Sequence, residues 1–177
     1  MRKFLDIISG SVEKYDEPKA KTNLLQRYVG IVEEGYVNQT IHGLKVDEFV
    51  RGYIEAMLYT SSDESDESGG EHLNKNYTSD DIAHDSMDRI YADCRSFLHT
   101  AGPFLNVDKY KGPGLTTLEA TAGHDFWLTR VGHGSGFWDG DWEGEDHGAM
   151  DGPLTQAAEA FGNIDPYVGD DGRIHLM

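Results

Sequence analysis

The apolar positions along this chain fall into two regimes. Between residues 46 and 98 they recur at helical spacing. Beyond residue 122 they crowd together with glycine and short polar runs. The clearest pattern is Val46, Phe49, Val50, Tyr53, Ile54, Met57 and Leu58, at i, i+3, i+4, i+7, i+8, i+11 and i+12. That continuous stripe predicts an amphipathic helix over 46–60 whose apolar face is core. Asp47 and Glu48 stand in its first turn, where the helix dipole favours carboxylates. Met87, Ile90, Tyr91, Cys94, Phe97 and Leu98 repeat the spacing. Thr78 and Asp81 form a capping-box-like pair ahead of them, and Gly102-Pro103 ends the helix. A helix with one apolar face needs a partner, so the two stripes should pack together.

The later part of the chain reads differently. Asp125 to Val131 alternates as a strand would, with Phe126 and Leu128 on one face and Trp127 and Thr129 on the other. Ser135 to Trp138 reads as a second strand after a turn built on Gly132, Gly134 and Gly136. That hairpin would carry His133 at its tip, with Asp139 capping it or facing Arg130 across it. Pro153 to Phe161 predicts a short helix, with proline at its first position and Gly162 as its stop. Asp171-Gly172 is a two-residue hairpin signal that pairs Tyr167 with Leu176 and Asp170 with Arg173. The result is an α+β class. A small antiparallel sheet of about four short strands packs against two long amphipathic helices plus a short helix. Residues 46–177 form this domain, with an acidic low-complexity loop at 61–76. Residues 1–45 read as an N-terminal extension, in which Arg27 to Val32 fits a strand as well as a helix.

Composition adds electrostatics. Of 177 residues, 32 are acidic and 15 basic, for a net charge of −17. Phosphate neutralisation needs Lys and Arg, so no direct nucleic-acid binding through a broad basic face is expected. The sign points towards a partner with a basic surface. No run of apolar residues reaches membrane-spanning length and no signal-peptide pattern opens the chain, so no membrane association and a cytoplasmic location are expected. The lone Cys94 excludes an internal disulfide and reads as a buried thiol.

Candidate chemistry collects in Ala122 to Asp139. Gly134-Ser135-Gly136 brings a serine between glycines near histidine and aspartate, but it lies one residue out of the G-x-S-x-G elbow and lacks its strand-turn-helix setting. The same stretch lacks the Lys-Ser/Thr of a phosphate-binding loop. No metal or cofactor is expected, because His124, Asp125, His133, Asp139 and His147 match no compact ligand spacing. A calcium loop starting at Asp63 fails, with Ser68 and Asn74 at its sixth and twelfth positions. The candidate binding residues are therefore His124, Asp125, Arg130, His133 and Asp139. The candidate acidic surface is Asp63, Glu64, Asp66, Glu67, Asp80, Asp81, Asp141, Glu143, Glu145 and Asp146.

Five segments carry a resemblance: Phe49 to Leu58, Asp93 to Arg95, Ala122 to Arg130, Gly132 to Asp139 and Tyr167 to Ile174. Together they resemble a family of small acidic proteins of bacteriophages and mobile elements, marked by AGHDFWLTR-x-GHGSGFWD. The resemblance spans residues 46–175 and carries no catalytic residues. It implies a phage accessory protein that binds and inhibits a host or defence protein, in the host cytoplasm, as a nucleic-acid mimic. The alternatives are a small metal-dependent or hydrolytic enzyme using His124, Asp125, His133 and Asp139, and a virion-associated structural protein.

Overall fold

The computed structural model describes residues 38–65 and 70–177. The readings made on residues 1–37, and Asp66 and Glu67 of the acidic set, lie outside the described residues. Chain contacts divide after Val37, and the unit Asn38–Met177 is described by itself. This unit begins before the expected boundary at residue 46. Strands β1 (Thr40–Ile41) and β2 (Leu44–Lys45) pair as a hairpin that buries Ile41 and Leu44.

The unit mixes α and β structure. Helix α1 (Val46–Thr60) bears the predicted stripe, and every member of that stripe is buried. Helix α2 (His84–Ala101) buries Met87, Ile90, Cys94, Phe97 and Leu98. The Thr78–Asp81 capping box exists, but it tops a 3-10 turn over Ser79–Asp81. Ile82 and Ala83 then run extended, because Ile82 bridges Ile174 and the Ala83 N–H donates to the Ile174 carbonyl at 2.8 Å. A tertiary bond thus delays the helix start.

The larger departure is helix α3 (Leu118–Val131), which replaces the expected strand at 125–131. Thr117 caps it by accepting from the Ala120 N–H at 3.1 Å. Residues Ala120 to Gly123 and Asp125 to Arg130 are all buried. A helix enclosed on nearly every side shows no one-sided stripe, so periodicity cannot report it. The expected glycine turn is instead the helix end. Gly132 is left-handed (φ 70°), and the Gly132 and His133 N–H groups return to the Thr129 and Leu128 carbonyls. The expected strand at 135–138 is a 3-10 turn over Phe137–Asp139, tied back where the Phe137 N–H donates to Thr129 Oγ1 at 2.9 Å.

Helix α1 crosses α3 at backbone distance. A Cβ on Gly52 would collide with the Ala120 carbonyl, and one on Gly123 with the Phe49 carbonyl. Around this crossing sits an aromatic core. Phe97 stacks on Phe126 at 4.2 Å, and Tyr53 meets Trp127 edge-on at 5.2 Å.

Helix α4 (Pro153–Glu159) opens with proline, as its sequence predicts. Strands β3 (Ser62–Asp63) and β4 (Glu71–His72) pair, as do β5 (Pro166–Val168) and β6 (Ile174–Leu176). The described strands therefore form three separate two-stranded ribbons in place of one four-stranded sheet. The C-terminal register is Tyr167 with His175 and Val168 with Ile174, one residue from that expected. Gly169 and Arg173 close a three-residue loop with Gly172 left-handed. A one-residue slip reverses the faces. Tyr167 accordingly stands exposed, stacked on His175, while Ile174 is buried. The expected Asp170–Arg173 pair gives way to Asp171, which accepts from the Arg173 N–H and contacts His175 Nε2.

Candidate functional site

The five binding candidates separate into three places. Arg130 leaves the surface altogether. Its guanidinium is buried and donates to Asp93 (2.7 Å), the Tyr53 hydroxyl (3.1 Å) and the Gly162 carbonyl (2.8 Å). It ties α3 to α1, α2 and the end of α4, and no pairing with Asp139 is made. His133 stands exposed at the C-terminal end of α3.

His124 and Asp125 come together, Trp142 holds Asp125, and the Asp139 charge is close enough to act on it. Asp125 sits on α3 with its side chain turned inward. One carboxylate oxygen lies 3.0 Å from His124 Nδ1, and the other accepts from Trp142 Nε1 at 2.7 Å. Trp142 is buried against Tyr110, with ring centroids 4.6 Å apart. Burial pushes the Asp125 carboxyl above the usual carboxylate range. The His124 and Trp142 hydrogen bonds oppose that shift, and the Asp139 charge adds to it. The Asp141 carboxyl is raised as well, by burial and then by Asp125 and Asp139. Burial and the same three carboxylates push the Tyr110 phenol up. Tyr110 and Asp141 crowd one face of Gly112, where a Cβ would meet both. The loop is held in place where the Lys111 N–H donates to the Asp141 carbonyl (2.9 Å) and where His147 Nδ1 meets the Asp139 carbonyl (3.0 Å).

This cluster gathers two carboxyls raised above the usual range, a phenol and a histidine. Such groups suit proton transfer. Among the described residues, no three His, Cys, Asp or Glu side chains are arranged to hold a metal ion. Sequence reading missed Tyr110 and Trp142. Tyr110 stands before the glycine-rich stretch and Trp142 just after it, and neither has a period or spacing that exposes its role.

The acidic set also divides. Glu145 is buried, contrary to its place among the surface candidates. It caps α4 from a distance: the Leu154 N–H and Thr155 hydroxyl donate to its carboxylate, both at 2.6 Å. Glu143 is exposed and paired with Lys109, and hydrogen bonds from Lys109 and Asn106 hold its carboxyl below the usual range. Asp146 is exposed beside it in sequence.

Asp63, Glu64, Asp80 and Asp81 lie at another end. Strand β3 lies beside β5. Strand β6 bonds Ala83, and the Leu176 N–H reaches Ser86 Oγ at 3.1 Å. These contacts bring Asp63, Glu64, Asp80, Asp81 and Asp85 to the same end as Asp165, Asp170 and Asp171. Across the described residues, exposed carboxylates outnumber exposed Lys and Arg. No helix among them is long and apolar enough to cross a membrane. No family model, curated protein or solved structure matches the chain.

Proposed function

We propose that this is an acidic phage accessory protein that binds and inhibits a basic host or defence protein, its carboxylates standing in for nucleic-acid phosphates. The observation that carries this reading is the gathering of exposed carboxylates from three chain segments at the β3–β5–β6 end of a molecule with net charge −17. Separate segments packed to one end give a continuous negative field, which steers a basic partner and speeds encounter. The motif resemblance to phage and mobile-element proteins supports the setting, the host cytoplasm.

The test is retention from host lysate on the immobilised protein, eluted with rising salt. A nucleic-acid-binding or otherwise basic partner should release steeply above roughly 0.15 M salt, where screening falls below about 8 Å. Retention of no basic partner, or retention indifferent to salt, removes the reading.

The buried cluster of His124, Asp125 and Trp142 favours a second reading, a small hydrolytic enzyme. Asp125 and Asp141, with Tyr110, would supply acid–base groups. A hydrolase substrate panel is the check: turnover that survives in Asp141→Asn, or no turnover at any pH, removes it.

A further inference from the structure

We propose that the groove between the C-terminal ends of α1 and α3 and strand β5 is where the partner docks, through an arginine or lysine side chain on an extended segment. This inference rests on the partner being basic and names where it is gripped. The groove encloses about 460 Å³, the size of a ligand pocket. Its lining comes from Thr60 to Ser62 at the end of α1, Glu64 and Ser65 after β3, Trp127 and Val131 on α3, His133 just past it, and residues 163–168.

Three independent features select a cation. The first is the helix dipole. Both α1 and α3 direct their C-terminal, partly negative ends here. The last turn of α1 contains no basic residue, and Arg130 in the last turn of α3 is turned away to Asp93. The second is the lining. Glu64 and Asp165 are exposed carboxylates of the lining, and among the described residues no Lys or Arg lines the groove.

The third is the phase of the strands. Alternate residues of an antiparallel strand point both backbone groups at the partner. Leu73 and Gly70 donate to the Ser61 and Asp63 carbonyls, so Ser62 faces away from β4. Asp165 exchanges both bonds with Met177, and Gly169 N–H bonds Arg173, so Pro166 and Val168 face away from β6. The Ser62, Pro166 and Val168 carbonyls thus stand on the groove side, with the Ser62 and Val168 N–H groups beside them and none on Pro166. The Ser61, Ser62 and Ser65 hydroxyls can donate or accept, so the charged part of the lining, Glu64 and Asp165, sets the preference, and it offers acceptors only. Guanidinium and ammonium are donor-only groups and fit it. A phosphate or carboxylate ligand would meet the Glu64 and Asp165 charges with no Lys or Arg to offset them.

The probe is an acetylated, amidated Ala-Arg-Ala-Arg-Ala peptide added to the full chain, with citrulline replacing arginine as control and spermidine as a second arm. Backbone and indole NMR shifts report the site, and titration calorimetry the affinity. The arginine peptide should move the Trp127 indole and the Ser62, His133 and Val168 amides, and the citrulline peptide should not. Glu64→Gln with Asp165→Asn should weaken binding by roughly tenfold or more, with an unchanged thermal unfolding midpoint. Shifts confined to the Asp139–Asp146 surface would overturn the groove while leaving the acidic-surface reading standing. Binding by spermidine but not by the peptide overturns the protein-segment assignment. No binding of any probe overturns the groove, and the lysate experiment then judges the broader reading separately.

Discussion

At the scale of single residues, the side chains that looked most like surface chemistry turn out to be internal. Arg130 is a buried clamp on Asp93, Tyr53 and two carbonyls of the α4 end. Arg130→Ala would leave Asp93 and the Tyr53 hydroxyl without their cation, at a cost of about 3 kcal/mol; urea unfolding checks it, and a loss below about 1 kcal/mol would contradict the clamp. Asp125 makes a pH-dependent prediction. Its native carboxyl is raised, so its contribution to stability is full below the unfolded value, near pH 4, and is lost as pH rises through the native one. Asn at this position keeps an acceptor for Trp142 Nε1 and carries no charge. Asp125→Asn should therefore melt higher than the parent at pH 7 and no higher near pH 4. A stability gap independent of pH would show that the carboxyl is not raised. Neither role is legible in sequence, because burial of a charged side chain depends on which elements close over it.

At the scale of elements, the α1–α3 crossing carries the fold. Gly52 and Gly123 each face a carbonyl of the other helix, so the backbones approach without intervening side chains. Gly52→Ala or Gly123→Ala must push the helices apart and strip contacts from the aromatic core. Each should cost about 3 kcal/mol, measured by denaturant unfolding. A neutral result at both would mean the crossing is looser than described. Helix α4 depends on Glu145, which lies outside it in the preceding loop. Glu145→Gln weakens a charge-assisted cap and should cost about 1–2 kcal/mol. The one-sided stripes of α1 and α2 could be read from sequence, since each has a wet face. Helix α3 could not, since it is wrapped by α1, the aromatic core and the 137–142 loop. Its mid-helix Gly123, which argues against a helix locally, is what permits the crossing.

For the whole molecule, charge sets the behaviour. A net charge of −17 on one small chain creates self-repulsion that favours expansion. Raising salt from about 0.01 to 0.15 M shortens the Debye length from about 30 to 8 Å. The unfolding midpoint should therefore rise by a few degrees over that range, followed by circular dichroism. A midpoint that falls or stays level would show that the carboxylates are locally compensated.

By itself the sequence determined the features that depend only on periodicity between near neighbours and on sums over the chain. These are the faces of α1 and α2, the short helix at Pro153, the place of the C-terminal turn though not its length, the α+β class and the acidity. Each rests on spacing along one segment or on charge, which needs no partner to be counted. Tertiary structure decided the rest. It made the glycine-rich stretch a buried helix with a glycine end, because Gly52 and Gly123 let α1 press on it. It slipped the last hairpin by one residue and turned Tyr167 outward. It paired Asp125 with His124 and Trp142, sent Arg130 into the core and left His133 at a separate groove. Which side chains meet depends on packing between distant segments, and no local spacing records that.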